Sequence, residues 1–325
     1  MSNQGKASSR MARSRAAGFL LSQSGFLIGF IVVLSIAISL MNRNFIKPQN
    51  IINVLGQISM VGIVAVGVGL VLISGDFDIS VGSQVSLDGA VLAILLTRTG
   101  SVPLAVAATV LLGAALGAVN GLIVSKSKCA SFIMTLGTRS AYHGFVLVLT
   151  RGRNFPLRGT FETLGRGALG GVIPVPIMIF FLVLLLAFLL MRYTRFGRTL
   201  FAVGGNPKAA YLSGVNNDGM KIAVYTLCGL LVALASMTLI SKLGASYPNT
   251  GDGYELEALA AIVVGGTSLA GGKGSALGLF LGVIIFGLMS NSLNMMNVSP
   301  YFRDVFIGAI IIVATVLSRL GEGKK

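Results

Sequence analysis

Long apolar runs set the rhythm of this chain. They fall at about 24–42, 51–74, 80–97, 102–125, 129–150, 171–191, 221–242, 256–271, 275–296 and 301–319. Roughly 20 apolar residues in helical form cross a bilayer core, whereas a membrane barrel alternates apolar and polar residues. The pattern predicts an all-α polytopic membrane protein of about ten transmembrane helices. Two stretches interrupt it, "SGDFDISVGS" at 74–83 and "GGTSLAGGKGS" at 265–275. Gly75, Gly82, Gly265, Gly266, Gly271 and Gly272 mark them as breaks between short or broken helices, an arrangement that suits a transport pathway. The organisation is a basic tail at 1–23, one membrane domain at 24–320 with a long loop at 192–220, and a tail at 321–325.

Composition narrows this picture. The chain is 54% hydrophobic and only 11% charged, which excludes an ordinary soluble domain. A net charge of +15 would suit nucleic acid, but the basic residues flank the apolar runs, the positive-inside pattern of a membrane protein. Lys6, Arg10, Arg13 and Arg15 precede the first run, and no convincing cleavage site follows Gly25–Leu40, so that run reads as a retained span with a cytoplasmic start. Alternation then puts 125–128, 192–220 and the C-terminus in the cytoplasm, all basic. It puts 151–170 outside, although that segment carries Arg151, Arg153, Arg158 and Arg166. Cys129 and Cys228 have neither disulfide nor metal spacing.

Polar residues inside the runs are the candidates for chemistry. Ser80, Gln84 and Asp88 share one helix face. A carboxyl at mid-span costs about 2.5–3.5 kcal/mol unless it faces protein or water. Asn291 and Asn294, with Ser290 beside them, form a second stripe whose amides offer both donors and acceptors to a hydroxyl-rich ligand. The candidate translocation path is therefore Asp78, Ser80, Gln84, Asp88, Asn291 and Asn294. Each also has an ordinary role open to it. Asp78 can cap the following helix, Asp88 can pair with a neighbour, and the asparagines can bond between helices. Asp76 has no assigned part. The glycine-rich stretch at 265–275 fails as a phosphate loop, with Thr267 where the first glycine belongs and Gly274 where Ser or Thr belongs. His143 stands alone, and no nucleophile–base or metal-ligand set is present, so no catalytic residue is assigned. In the 192–220 loop, Asn206 suits an N-cap, Pro207 a first helical position and Gly214 a stop, predicting a helix over 207–213. Two turns are marginal alone, so the helix must dock, either as a surface helix on its own bundle or as a rod that inserts into a cytoplasmic partner.

These motifs resemble the membrane permease subunits of ribose-type ABC importers, a group that also serves xylose, galactose, allose and autoinducer-2. The family pattern "GGIDLSVGS" stands here as "GDFDISVGS" (75–83) and "GGNxxAAxxSGI" as "GGNPKAAYLSGV" (204–215). Likewise "GYELxAIAAVVxGGTSLAGGxGS" stands as "GYELEALAAIVVGGTSLAGGKGS" (253–275), and "NNGLNLLGVSS" as "SNSLNMMNVSP" (290–300). The match runs from about 45 to 320. It implies the ABC importer permease fold, in the bacterial inner membrane, with both termini cytoplasmic. It also implies a second permease subunit, identical or not, a periplasmic or lipid-anchored sugar-binding protein, and an ATPase subunit that holds the ATP and Mg. This chain itself would bind no cofactor and no nucleic acid. The loop helix becomes the coupling helix, carried by Asn206, Pro207, Ala209, Ala210 and Gly214. The function implied is passage of a monosaccharide by alternating access, against a rival reading as a proton-coupled transporter using Asp88 and His143. The chain departs from the family at Asp76 (usually Gly), Asp88 (usually uncharged), Ser290 (usually Asn) and Pro300 (usually Ser).

Overall fold

The structure, a computed structural model, describes residues 23–312 except 128, 300, 301, 303 and 310. Its helices are α1 (Gln23–Met41), α2 (Pro48–Ile73), α3 (Val81–Thr99), α4 (Val102–Ser127), α5 (Ser131–Thr150) and α6 (Thr163–Arg166). They continue with α7 (Val175–Tyr193), α8 (Arg195–Gly205), α9 (Pro207–Leu212), α10 (Asn217–Leu243), α11 (Tyr254–Val264) and α12 (Ala276–Met295). Two short antiparallel ladders join β1 (Phe155–Pro156) to β4 (Ala245–Ser246) and β2 (Ala168–Leu169) to β3 (Ile173–Pro174). Residues 302, 304–309 and 311–312 are helical; the rest of the expected 301–319 span, residues 1–22 and the C-terminal tail lie outside the described residues, and Gln23, expected in the tail, opens α1.

Among the described residues, seven helices are long and apolar enough to cross a membrane: α1, α2, α4, α5, α7, α10 and α12. α3 is the exception of similar length. It carries Ser83, Gln84, Ser86 and Asp88, all buried, so it is enclosed by protein and needs no apolar exterior. The span expected over 256–271 is shorter than its apolar run. α11 stops at Val264, where Gly265 ends the helix and Gly266 turns with φ 88°. At a rise of about 1.5 Å per residue it covers only about half a bilayer.

α2 lies innermost, buried on every face from Gly62 to Ile73. α4 and α10 pack tightly because Gly113, Gly117 and Gly121 recur every fourth residue of α4. A Cβ on Gly117 would overlap the Tyr225 carbonyl of α10, and one on Gly113 would meet the Gly229 carbonyl at 2.7 Å. The two ends of the bundle are distinct. At one, Lys126 meets Asp218 at 2.7 Å, tying the end of α4 to the start of α10. At the other, β1 pairs with β4, and the Gly165 N–H donates to Ser241 Oγ at 2.8 Å. The arginine-bearing 151–170 segment thus sits at the end opposite the 192–220 loop, as the alternation of spans requires.

Candidate functional site

The backbone of the first break is held by two helices, α5 and α10. The Phe77 N–H donates to Ser131 Oγ (2.9 Å), the Ile79 N–H to Thr135 Oγ1 (3.2 Å), and the Tyr225 hydroxyl to the Phe77 carbonyl (2.7 Å). Asp78 Oδ1 accepts from the Ser80 N–H at 2.9 Å and the Ser80 hydroxyl at 2.6 Å. Asp78 therefore shapes the turn ahead of α3 and bonds Ser80, the N-cap residue, instead of the free N–H groups beyond it. Asn120 Nδ2 donates to Ser80 Oγ at 2.7 Å, and the Tyr142 hydroxyl donates to Asn120 Oδ1 at 2.9 Å. One turn further on, Gln84 Nε2 donates to the Gly113 and Gly229 carbonyls, each at 3.2 Å, and approaches Asp88 Oδ2 at 3.5 Å. Asp78, Ser80, Gln84 and Asp88 together form a buried polar spine joining α3 to α4, α5 and α10. Asp76 has its own partner: both carboxylate oxygens reach Lys221 Nζ, at 2.9 and 3.1 Å.

The two asparagines separate. Asn291 exchanges amide hydrogen bonds with Asn50 of α2, at 3.0 and 3.1 Å, and so joins two helices. Asn294 lines a cavity of about 300 Å³ with Gln57, Lys242, Tyr254 and Ser290. A smaller hollow of about 40 Å³ shares Gln57 and Ser290 with it and extends the lining to Glu257. None of the Asp78–Asp88 spine lines either space. The sequence reading missed Gln57, Lys242, Tyr254 and Glu257. The only local signal was the three-residue spacing of Tyr254 and Glu257, which puts both on one face of α11.

The second break meets the first at their backbones. The Gly272 N–H donates to the Ile73 carbonyl at 2.9 Å. Gly204, near the end of α8, fits between them. A Cβ there would overlap the Ile73 carbonyl and lie 2.7 Å from the Gly272 nitrogen. At Gly204, α8 thus meets the end of α2 and the 265–275 turn main chain to main chain. α9 follows directly. Asn206 Oδ1 accepts from the Ala209 N–H at 3.0 Å, Pro207 opens the helix, and Gly214 closes it at φ 83°. The helix ends at Leu212, one residue before the expected stop. Ala210 is buried against the chain's own helices, while Tyr211 and Leu212 are 69% and 77% exposed. The motif residues build this helix, and the two side chains after them face outward. Asn206→Ala should cost about 1 kcal/mol of local stability, speeding amide exchange within α9 about fivefold. Hydrogen exchange of the purified protein reads this directly.

Residues 50–315 match a family described as the permease component of the branched-chain amino acid transport system. The chain belongs to this permease family. The ribose import permease of Escherichia coli K12 is 41% identical to it over 305 residues, covering 91% of this chain and 94% of that protein. The Bacillus subtilis 168 ribose import permease is 40% identical, covering 88% and 90%. The xylose transport system permease of E. coli K12 is 33% identical, covering 83% and 84%. No solved structure gives a significant match. The chain is a multi-pass membrane permease.

Proposed function

We propose that this chain is the permease subunit of an ATP-driven importer for a pentose-like sugar and works beside a second permease subunit, a separate ATPase and a sugar-binding protein. The observation that carries this is the route from α9 to the cavity. α9 presents Tyr211 and Leu212 to a partner, and hollows of about 440 and 540 Å³ flank it around Gly214–Asn216. α8 passes a displacement of α9 to the second break through Gly204. That break is the trailing end of α11, whose leading end carries the cavity residues Tyr254 and Glu257. A push at α9 therefore reaches the cavity wall through rigid elements. ATP and Mg belong to the ATPase, and this chain does no covalent chemistry. The α9 end and both termini face the cytoplasm, and the binding protein docks at the β1–β4 end. The sugar class follows from the ribose and xylose permeases among the relatives.

The test is reconstitution in proteoliposomes with the partner ATPase and binding protein. Uptake of D-ribose or D-xylose should require ATP. Tyr211→Asp should reduce it at least tenfold while the protein elutes as the wild type does. Uptake that ignores ATP and follows a proton gradient would overturn the reading in favour of the proton-coupled alternative.

A further inference from the structure

The cavity beside α11 has an unusual lining for a membrane interior. Among apolar neighbours such as Met60 and Leu239 it presents one ammonium (Lys242), two amides (Gln57 and Asn294), a hydroxyl (Ser290) and a phenol (Tyr254), and the adjoining hollow of about 40 Å³, which shares Gln57 and Ser290 with it, adds the carboxylate of Glu257. Four helices, α2, α10, α11 and α12, contribute these groups from positions far apart in the chain. Lys242 is half-buried, and its Nζ makes one long bond, 3.4 Å to the Gly56 carbonyl. An ammonium has three donors, so most of its capacity points elsewhere. The volume of about 300 Å³ lies at the small end of the range for small-molecule sites. The cavity lies toward the β1–β4 end, because Lys242 and Asn294 sit in the last turns of α10 and α12 and Tyr254 opens α11.

We infer that this cavity is a solute subsite for a neutral polyhydroxylated molecule, held between Lys242 and Glu257. The inference rests on the importer reading above and deepens it. Hydroxyl groups both donate and accept, so a sugar can take a hydrogen bond from Lys242, give one to Glu257 and do both with the amides. A solute reaching from the cavity into the adjoining hollow meets Lys242 in the first and Glu257 in the second, so an anion is opposed by one and a cation by the other, which selects against either. Because Tyr254 and Glu257 belong to α11, any shift of this half-helix rearranges one wall of the subsite. Solute affinity and the position of α11 are then coupled.

The experiment uses the reconstituted importer carrying Cys129→Ser and Ser290→Cys, with Cys228 left buried. Labelling of position 290 by an impermeant maleimide is timed with and without 100 mM D-ribose, a concentration set on the order of a weak site. Ribose should slow labelling at least fivefold, while 100 mM sodium chloride should not. Adding Lys242→Met or Glu257→Gln should bring the ribose effect below twofold. The same variants should lose at least tenfold in maximal uptake with ATP turnover retained. Lys242→Arg, which keeps the donors, should recover part of the uptake. Equal labelling with and without ribose, or equal protection in the variants, would overturn the subsite. ATP-dependent uptake by the parent is scored in the same vesicles. If the parent transports ribose but shows no protection, the subsite fails and the importer reading stands. If the parent transports neither ribose nor xylose, the importer reading fails and the subsite falls with it.

Discussion

Arg139→Leu is expected to destabilise the solubilised permease by about 3 kcal/mol, the lower end of the range for stranding a buried charge. Arg139 Nη2 of α5 meets Glu255 Oε1 at 2.9 Å, and the Glu255 side chain is only 2% exposed. The carboxylate cannot swing out to water, because its other oxygen lies against Gly82, where an added Cβ would overlap it. Arg139 itself is 39% exposed, which keeps the cost from the top of the range. The pair anchors the leading turn of α11 to α5, so its loss also loosens the half-helix that carries Tyr254 and Glu257. Thermal unfolding in detergent measures the change. The double variant Arg139→Leu with Glu255→Leu should recover much of the loss, since apolar residues can replace a buried pair that neither member survives alone. If single and double variants fall equally, the arginine stem matters by packing and the charge pairing does not.

Gly204→Ala is expected to cut ATP-dependent uptake at least tenfold while leaving ATP turnover in place. The new methyl group would occupy the space of the Ile73 carbonyl and press on the Gly272 nitrogen. Backbone cannot rotate aside as a side chain can, so α8 must lift away, at a cost of about 1–3 kcal/mol typical of overpacking. Separating α8 from both breaks would interrupt the route from α9 to α11. Gly205→Ala is the control, because a Cβ there meets only the Gly272 Cα, at 4.0 Å. That neighbour should be neutral, or slightly stabilising through the helix propensity of alanine. The comparison of two adjacent glycines, scored by uptake and by ATP hydrolysis in the same vesicles, separates contact from general helix effects.

The features legible in the sequence are the local ones. Apolar runs located the long helices because a span needs continuous apolar length, whatever its neighbours. Asn206, Pro207 and Gly214 announced α9 because a cap acts within three residues of itself. α11 was read too long because Thr267–Ala270 continue the run well enough to hide the turn at Gly265 and Gly266. The polar residues of α3 were visible, but what they bond was not. Gln84 is held by carbonyls of α4 and α10, which only the four-residue glycine spacing in α4 hinted at. The cavity was harder still. Gln57, Lys242 and Glu257 each look like an isolated polar residue near the end of a run, and only the folded bundle makes them neighbours.

The Asp76–Lys221 ion pair also bears on how this chain can change over time. It joins residues 145 positions apart, on opposite sides of the chain's midpoint. The family resemblance read from the sequence implies glycine at position 76, where this chain carries Asp76. A carboxylate or an ammonium left alone in that half-buried setting is unfavourable, so neither residue is easily altered first. A chimaera taking its first helices from a glycine-bearing relative would strand Lys221 unless residue 221 came with them.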